Sequence, residues 1–285
     1  MVAYFDTNVF DNLIKKTNGV TDADEEQLRA GVSSGRITVV VSHTNIRETI
    51  SALDSRPDIA REQLDLIAKL ADWDRFVRLH SIILEDDVRH FAFNGERANT
   101  PFEKGASHIL SKVRLVVEGR IGFNELEAVI AEDREQKRLF LDGVKRSNAE
   151  IATELENFRQ VHGIPSFGDF LADGMGAQVR AFVESFDVAE ECKRRGLDKL
   201  SNIPSIRALV GLGMSFKYRT TVEKKSPKSS TSRDIHHVVC AAASADVFIT
   251  HDSELSYLLN RIPKGIRAVR LRQLLEAEGP AHIEP

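Results

Sequence analysis

The sequence predicts an α/β fold: a central, mainly parallel sheet flanked by helices, carrying a large and mostly helical insertion. Three observations predict it. Short apolar runs lie near both ends of the 285-residue chain, each followed by a helical pattern. Long amphipathic stretches fill the middle. Four acidic residues, Asp6, Glu48, Asp234 and Asp252, each stand near the expected end of a strand or start of a helix. In an open α/β sheet the ligand crevice lies at the carboxyl ends of the strands, so these positions fall where a site would form.

The elements follow in order. Residues 2–5 (Val-Ala-Tyr-Phe) are a short apolar run, as a buried parallel strand requires. Val9, Phe10, Leu13 and Ile14 then recur at helical spacing. Residues 22–34 form a polar helix whose opening acids, Asp22, Asp24 and Glu25, suit its positive end, and Gly35 stops it. Ile37 to Val41 is a second buried strand, and Ser42 is a good N-cap for a helix over 43–54. Strand, helix, strand implies a right-handed parallel crossover.

From Arg56 to about Tyr218 the pattern turns helical, over 59–72, 84–93, 103–118, 123–161, 176–195 and 204–216. Gly163-Ile164-Pro165, Gly174-Met175-Gly176 and Asn202-Ile203-Pro204 supply the breaks, and residues 76–83 have the composition of a further strand. No fixed period recurs, which argues against a solenoid. Residues 223–233 are a polar, basic linker. The α/β pattern then resumes with a helix from Asp234, a strand at 246–250, a helix at 253–260, a strand at 266–271 and a helix at 272–278. The expected organisation is a discontinuous α/β domain over 1–55 and 223–285, interrupted by a helical subdomain over 56–222.

Composition narrows the class. At 42% hydrophobic the chain can bury a full core. A net charge of −4 does not advertise a nucleic-acid binder, although local basic patches matter more than the total. The cysteines, Cys192 and Cys240, form no CxxC pair, which excludes a zinc ribbon and leaves a disulfide scaffold unsupported. The start lacks the pattern of a signal peptide, and no apolar run reaches membrane-spanning length. A cytoplasmic protein with no membrane partner is the expectation.

Taken singly, each acid has a plain reading. Asp6, Asp234 and Asp252 would serve as helix N-caps. Glu48 lies off the apolar stripe Ile46, Ile50 and Leu53, on what would be a solvated face. Taken together, four carboxylates at strand and helix ends of one discontinuous domain repel one another unless a cation holds them. Mg²⁺ or Mn²⁺ prefers such oxygen ligands. The pattern reads as a metal-dependent phosphoryl-transfer site, a nuclease above all.

The run Tyr4-Phe5-Asp6-Thr7-Asn8-Val9-Phe10 resembles the opening of PIN-domain ribonucleases. Glu48 after the second strand, Asp234 ahead of an Ala-rich helix, and Ala245-Asp246-Val247-Phe248-Ile249-Thr250-His251-Asp252 fit the rest of that pattern. The resemblance covers residues 1–54 and 232–275 and leaves the helical middle out. It implies a three-layer α/β/α PIN-like fold and Mg²⁺- or Mn²⁺-dependent cleavage of single-stranded or structured RNA. It implies Asp6, Glu48, Asp234 and Asp252 as metal-binding carboxylates, with Asn8 and Thr250 orienting them. DNA or flap cleavage is the related alternative, and a non-catalytic RNA-binding or regulatory module on the same fold is the main rival. A toxin held by a small antitoxin, or a homodimer, would add a protein partner.

Other residues near the acids have two readings each. Lys224, Lys225, Lys228 and Arg233 would neutralise substrate phosphates or simply form a solvated loop. His237, three residues from Asp234, can share its face and meet substrate; the plainer reading is a partly buried, hydrogen-bonded imidazole. Asp246 reads as a turn residue at the wrong end of its strand. A haloacid-dehalogenase site would need an acid where Asn8 stands, and no GxxxxGK[ST] loop is present.

Overall fold

The computed structural model describes residues 1–122, 124–132, 134–135, 138–139, 142, 165–225 and 231–278. Four short strands form one parallel sheet: β1 (Val2–Phe5), β2 (Thr38–Val40), β3 (Val247–Ile249) and β4 (Arg267–Val269), in the order β2-β1-β3-β4. Its centre is a pairing of the two chain ends, with Ala3 opposite Val247 and Phe5 opposite Ile249. Isolated parallel bridges, Val39 to Ala71 and Ser42 to Val77, carry the pattern outward beyond β2.

Helices pack on both faces of this sheet. Side chains alternate along a strand, so successive residues enter opposite cores. Ala3, Phe5, Val39 and Ile249 join one core, with Leu13 of α1 (Thr7–Lys15), Leu28 of α2 (Asp22–Ser33) and Leu64 of a helix over Pro57–Leu70. Tyr4, Val40, Phe248 and Ala268 join the other, with Val238, Leu212 and Leu258. Phe5 and Phe248 are fully buried. Each stabilises the fold by roughly 1.5–3 kcal/mol through area removed from water.

In chain order the remaining helices are α3 (His43–Ser51), α4 (Pro57–Leu70), α5 (His80–Asn94), α6 (Ser107–Val117), α7 (Phe167–Val183), α8 (Ala189–Arg195), α9 (Leu197–Leu200), α10 (Pro204–Thr221), α11 (Thr231–Ser244), α12 (Ser253–Asn260) and α13 (Leu271–Glu278). A third core lies among α5, α7, α8, α9 and α10, including Phe91, Val179, Cys192 and Met214. The helices of the 56–222 stretch thus contribute to all three cores, two of which contain sheet residues. No described helix is long and apolar enough to cross a membrane.

Three local expectations are corrected. Residues 76–83 do not form a strand: Val77 makes only isolated bridges and α5 begins at His80. Gly174-Met175-Gly176 does not break the chain, because α7 runs through it. A Cβ at Gly174 would meet the flexible end of the Met214 side chain, which places α10 directly against α7 at this point. The Ala-rich helix expected from Asp234 begins at Thr231, which leaves Asp234 inside the first turn and not at an N-cap. Most of the expected helix over 123–161 lies outside the described residues, as do Gly163-Ile164 and Lys228. Among the described residues the helical pattern continues over 124–132.

Candidate functional site

The carboxyl ends of β1 and β3 bring Asp6 and Thr250 side by side, with the Asp6 N–H donating to the Ile249 carbonyl at 2.9 Å. Asp6 occupies the position before α1 but its side chain caps nothing. It turns toward Thr250, whose hydroxyl donates to Asp6 Oδ2 at 2.7 Å. Asn8 Nδ2 donates to the same oxygen at 2.5 Å and to Thr250 Oγ1 at 3.1 Å. Asn8 Oδ1 accepts from the His251 N–H, and Thr250 Oγ1 accepts from the Asp252 N–H, both at 3.1 Å. One Asp6 oxygen is therefore fixed by two neutral donors.

Glu48 is brought in by a different device. Ser42 caps α3, accepting from the Thr44 N–H, while Asn45 Oδ1 accepts from the Ser42 N–H at 2.8 Å. The fully buried Asn45 also donates to the Phe5 carbonyl at 2.9 Å and accepts from the Tyr4 hydroxyl at 3.1 Å. This capping box fastens α3 to the end of β1. Glu48, three residues after Asn45, shares its face and points inward. Its carboxylate lies 3.0 Å from His237 Nε2, and Arg233 Nε lies 3.7 Å from its other oxygen. The solvated-face reading of Glu48 is thereby corrected, since only 14% of its side chain is exposed.

His237 is the centre of this half. It is 1% exposed, with Nδ1 at 2.8 Å from the Tyr4 hydroxyl and Nε2 facing Glu48, and it stands 3.8 Å from Asp6 Oδ1. Ligand atoms of Asp6, Glu48 and His237 all lie within 4.8 Å of one another. So enclosed a ring is part of the cluster, and not the exposed substrate contact that the sequence offered as one reading.

The charges are unequally compensated. Burial would push the His237 imidazole down, but Glu48, Asp6 and Asp234 together hold it above its ordinary value. Burial would push Glu48 up, yet His237, a Thr7 hydrogen bond and Arg233 hold it below the usual range. Asp6 is raised, by burial and the Glu48 charge, against the pull of His237 and Thr250. Asp234 is pushed from 3.8 up to about 8 by burial and then by the Asp6 and Glu48 charges, with Asp252 adding to them and His237 opposing. Asp234 thus feels the other three acids, while among the described residues the group whose ligand atoms lie within 4.8 Å of one another is Asp6, Glu48 and His237, without Asp234 or Asp252.

The structure places the other sequence candidates less uniformly. Asp252 caps α12, Oδ1 accepting from the Glu254 and Leu255 N–H groups at 2.7 and 3.0 Å, so the cap reading and nearness to the cluster both hold. Lys224 and Lys225 are exposed beyond the end of α10. Asp246 accepts from the Val2 N–H at 2.8 Å, a structural role at the far end of β3. Sequence reasoning missed Tyr4 and Asn45. A tyrosine in an otherwise apolar buried strand was the available signal, because a buried phenol must find partners. No family model, curated protein or solved structure matches this chain.

Proposed function

We propose that the chain is a metal-dependent endonuclease of PIN-like, three-layer α/β/α architecture, acting on RNA. The observation that carries this reading is the group Asp6, Glu48 and His237, whose ligand atoms lie within 4.8 Å of one another, with the Asp234 carboxyl near it pushed up to about 8 by burial and then by the Asp6 and Glu48 charges. Such a group of acids holds more negative charge than its own side chains offset. The donors fit a hard divalent cation, being mainly carboxylate oxygens with one imidazole. Asp6, Glu48, Asp234 and Asp252 would hold Mg²⁺ or Mn²⁺. When bound, the ion supplies a deprotonated water at neutral pH and stabilises the leaving oxygen of a phosphodiester.

The chain's own residues do the positioning. Asn8 and Thr250 occupy Asp6 Oδ2, which leaves Oδ1 turned toward His237 and the centre of the cluster. Tyr4 holds the imidazole at Nδ1, which presents Nε2 to Glu48. Arg233, 3.7 Å from Glu48, would supply positive charge to a substrate phosphate once the carboxylates are neutralised by a metal.

A second reading has one observation in its favour. His237 is held above its ordinary value by Glu48 and Asp6 despite its burial, and when protonated it sets a positive charge against both. With that offset, the cluster could be a structural lock in a non-catalytic RNA-binding or regulatory module. The two readings separate on cleavage of a mixed single-stranded RNA and DNA pool with Mn²⁺, Mg²⁺ or EDTA, by wild type and Asp6→Asn. The nuclease reading expects metal-dependent cutting that the variant loses, with DNA surviving. Binding of RNA without cutting by either protein would sink it in favour of the module.

A further inference from the structure

Beside the cluster runs a groove of about 520 Å³ that none of the assignments above uses. Its floor is β4, the edge strand of the sheet. One wall is α12, which presents Ser253, Ser256 and Asn260 at i, i+3 and i+7, hence on one face. The other side carries Arg267, Arg270 and Arg272, all exposed. Glu276 is the acid among the lining residues, and Arg272 stands 3.7 Å from Asp24. Arg267 and Arg270 make no ion pair among the described residues. The groove opens at the carboxyl edge: Ser253 follows Asp252, and the Arg270 charge acts on His251.

A bare sheet edge would ordinarily invite another strand. Here that use is blocked. Asn260 Nδ2 donates to the Ala268 carbonyl and Asn260 Oδ1 accepts from the Ala268 N–H, each at 3.0 Å. The outward-facing ladder groups at the middle of β4 are therefore taken. What remains on offer is positive charge and hydroxyls, which match phosphate oxygens and not a peptide backbone.

We propose that this groove is the track along which the sugar–phosphate backbone of single-stranded nucleic acid reaches the carboxylates. The inference rests on the nuclease reading and adds to it where the strand lies. It also accounts for a local excess of arginine in a chain whose net charge is −4.

The test compares Asp6→Asn with Asp6→Asn carrying Arg267→Ala and Arg270→Ala, binding a labelled single-stranded RNA in Mg²⁺ from low to moderate salt. The Asp6 change keeps the strand uncut. Each arginine that no longer neutralises a phosphate should lower the slope of log K against log[salt] by about 0.7, so removing both should lower it by about 1.4. Thermal melts of both proteins should coincide, since both arginines are exposed. An unchanged slope, in a protein whose wild type cuts RNA, would overturn the groove alone. Neither cutting nor binding by wild type would remove the nuclease reading and the groove with it. A dimer that dissociates in the arginine variant, with the slope unchanged, would give the groove to a second copy of the chain instead.

Discussion

Asp6 and Glu48 stand in one cluster, yet their carboxyls shift in opposite directions, Asp6 up and Glu48 down. Both are buried. The difference lies in what holds them. Asp6 leans on two neutral donors, Asn8 and Thr250, whereas Glu48 faces the His237 imidazole and has Arg233 nearby. Neutral donors orient a carboxylate without offsetting its charge, so they leave it available to a cation. An ion pair offsets the charge and fixes the geometry at once. On the nuclease reading, the Asp6 side would leave an oxygen to a metal, while the His237 contact sets the position of Glu48.

The largest effects should come from breaking each side in turn. Asp6→Asn keeps the volume and removes the charge. Loss of a residue that merely supports a metal ligand costs about 10–100-fold in metal affinity or activity, so loss of Asp6 itself should exceed 100-fold in cleavage rate. Little change in melting temperature should accompany it. His237→Ala attacks the other side and should behave in the opposite way. It leaves Glu48 buried without its partner, a change that costs about 3–5 kcal/mol. Urea unfolding in EDTA measures it, and a loss below about 1 kcal/mol would show that the imidazole carries no charge in the folded state.

Lowering or raising pH should sharpen the same contrast. Asp234 has a folded pKa of about 8, above its ordinary 3.8, so the folded state holds the proton more tightly. Its contribution to stability is complete below the unfolded pKa and is lost as pH rises through the folded one. The loss amounts to about 1.4 kcal/mol for each pH unit crossed in that window. His237, also raised, acts in the same direction above its ordinary 6.5. Glu48, lowered, acts in reverse: its contribution is present above 4.5 and is lost toward acid. In EDTA the melting temperature should therefore fall from pH 5 to pH 9, and Asp234→Asn should flatten most of that fall while leaving the parts due to His237 and Asp6, which is also raised. Mg²⁺ or Mn²⁺ at pH 8 should restore stability in wild type. A flat profile in wild type would mean that the carboxylates are not crowded as the structure has them.

Much of the Asp6 side is legible in the sequence because it is local. Asp6 and Asn8 follow one apolar strand, and Thr250 and Asp252 close another. Strand pairing alone brings such ends together. The Ser42 cap is legible for the same reason. The Glu48 side is not, because its partners arrive from three separate elements. Tyr4 lies on β1, Asn45 on α3 and His237 on α11, and only the packed core sets their distances. The helical middle fails for a related reason. Gly174 looks like punctuation until α10 is packed against it, and the apolar residues near 76–83 read as strand although α5 begins at His80. A short apolar run cannot by itself distinguish a buried helix from a strand.

The smallest of these changes probes the Asp6 side without touching a charge. The Thr250 hydroxyl is saturated: it donates to Asp6 and accepts from Asn8 and from the Asp252 N–H. Thr250→Val keeps the shape and deletes all three bonds. Because the residue is fully buried, the Asp252 N–H and the Asn8 amide lose an acceptor that water cannot readily replace. A cost of about 1–3 kcal/mol is expected in urea unfolding, less than for His237→Ala. The carboxyl of Asp6 should rise further, since the hydroxyl is one of the groups holding it down. In the cleavage assay the variant should lose about 10–100-fold at limiting Mg²⁺ and recover part of it at high Mg²⁺, because orientation of Asp6 is weakened and its charge is kept. Thr250→Ser, which retains the hydroxyl, should restore activity even where the lost methyl lowers stability. If Ser and Val prove equally impaired, Thr250 serves packing, and Asp6 is positioned by Asn8 alone.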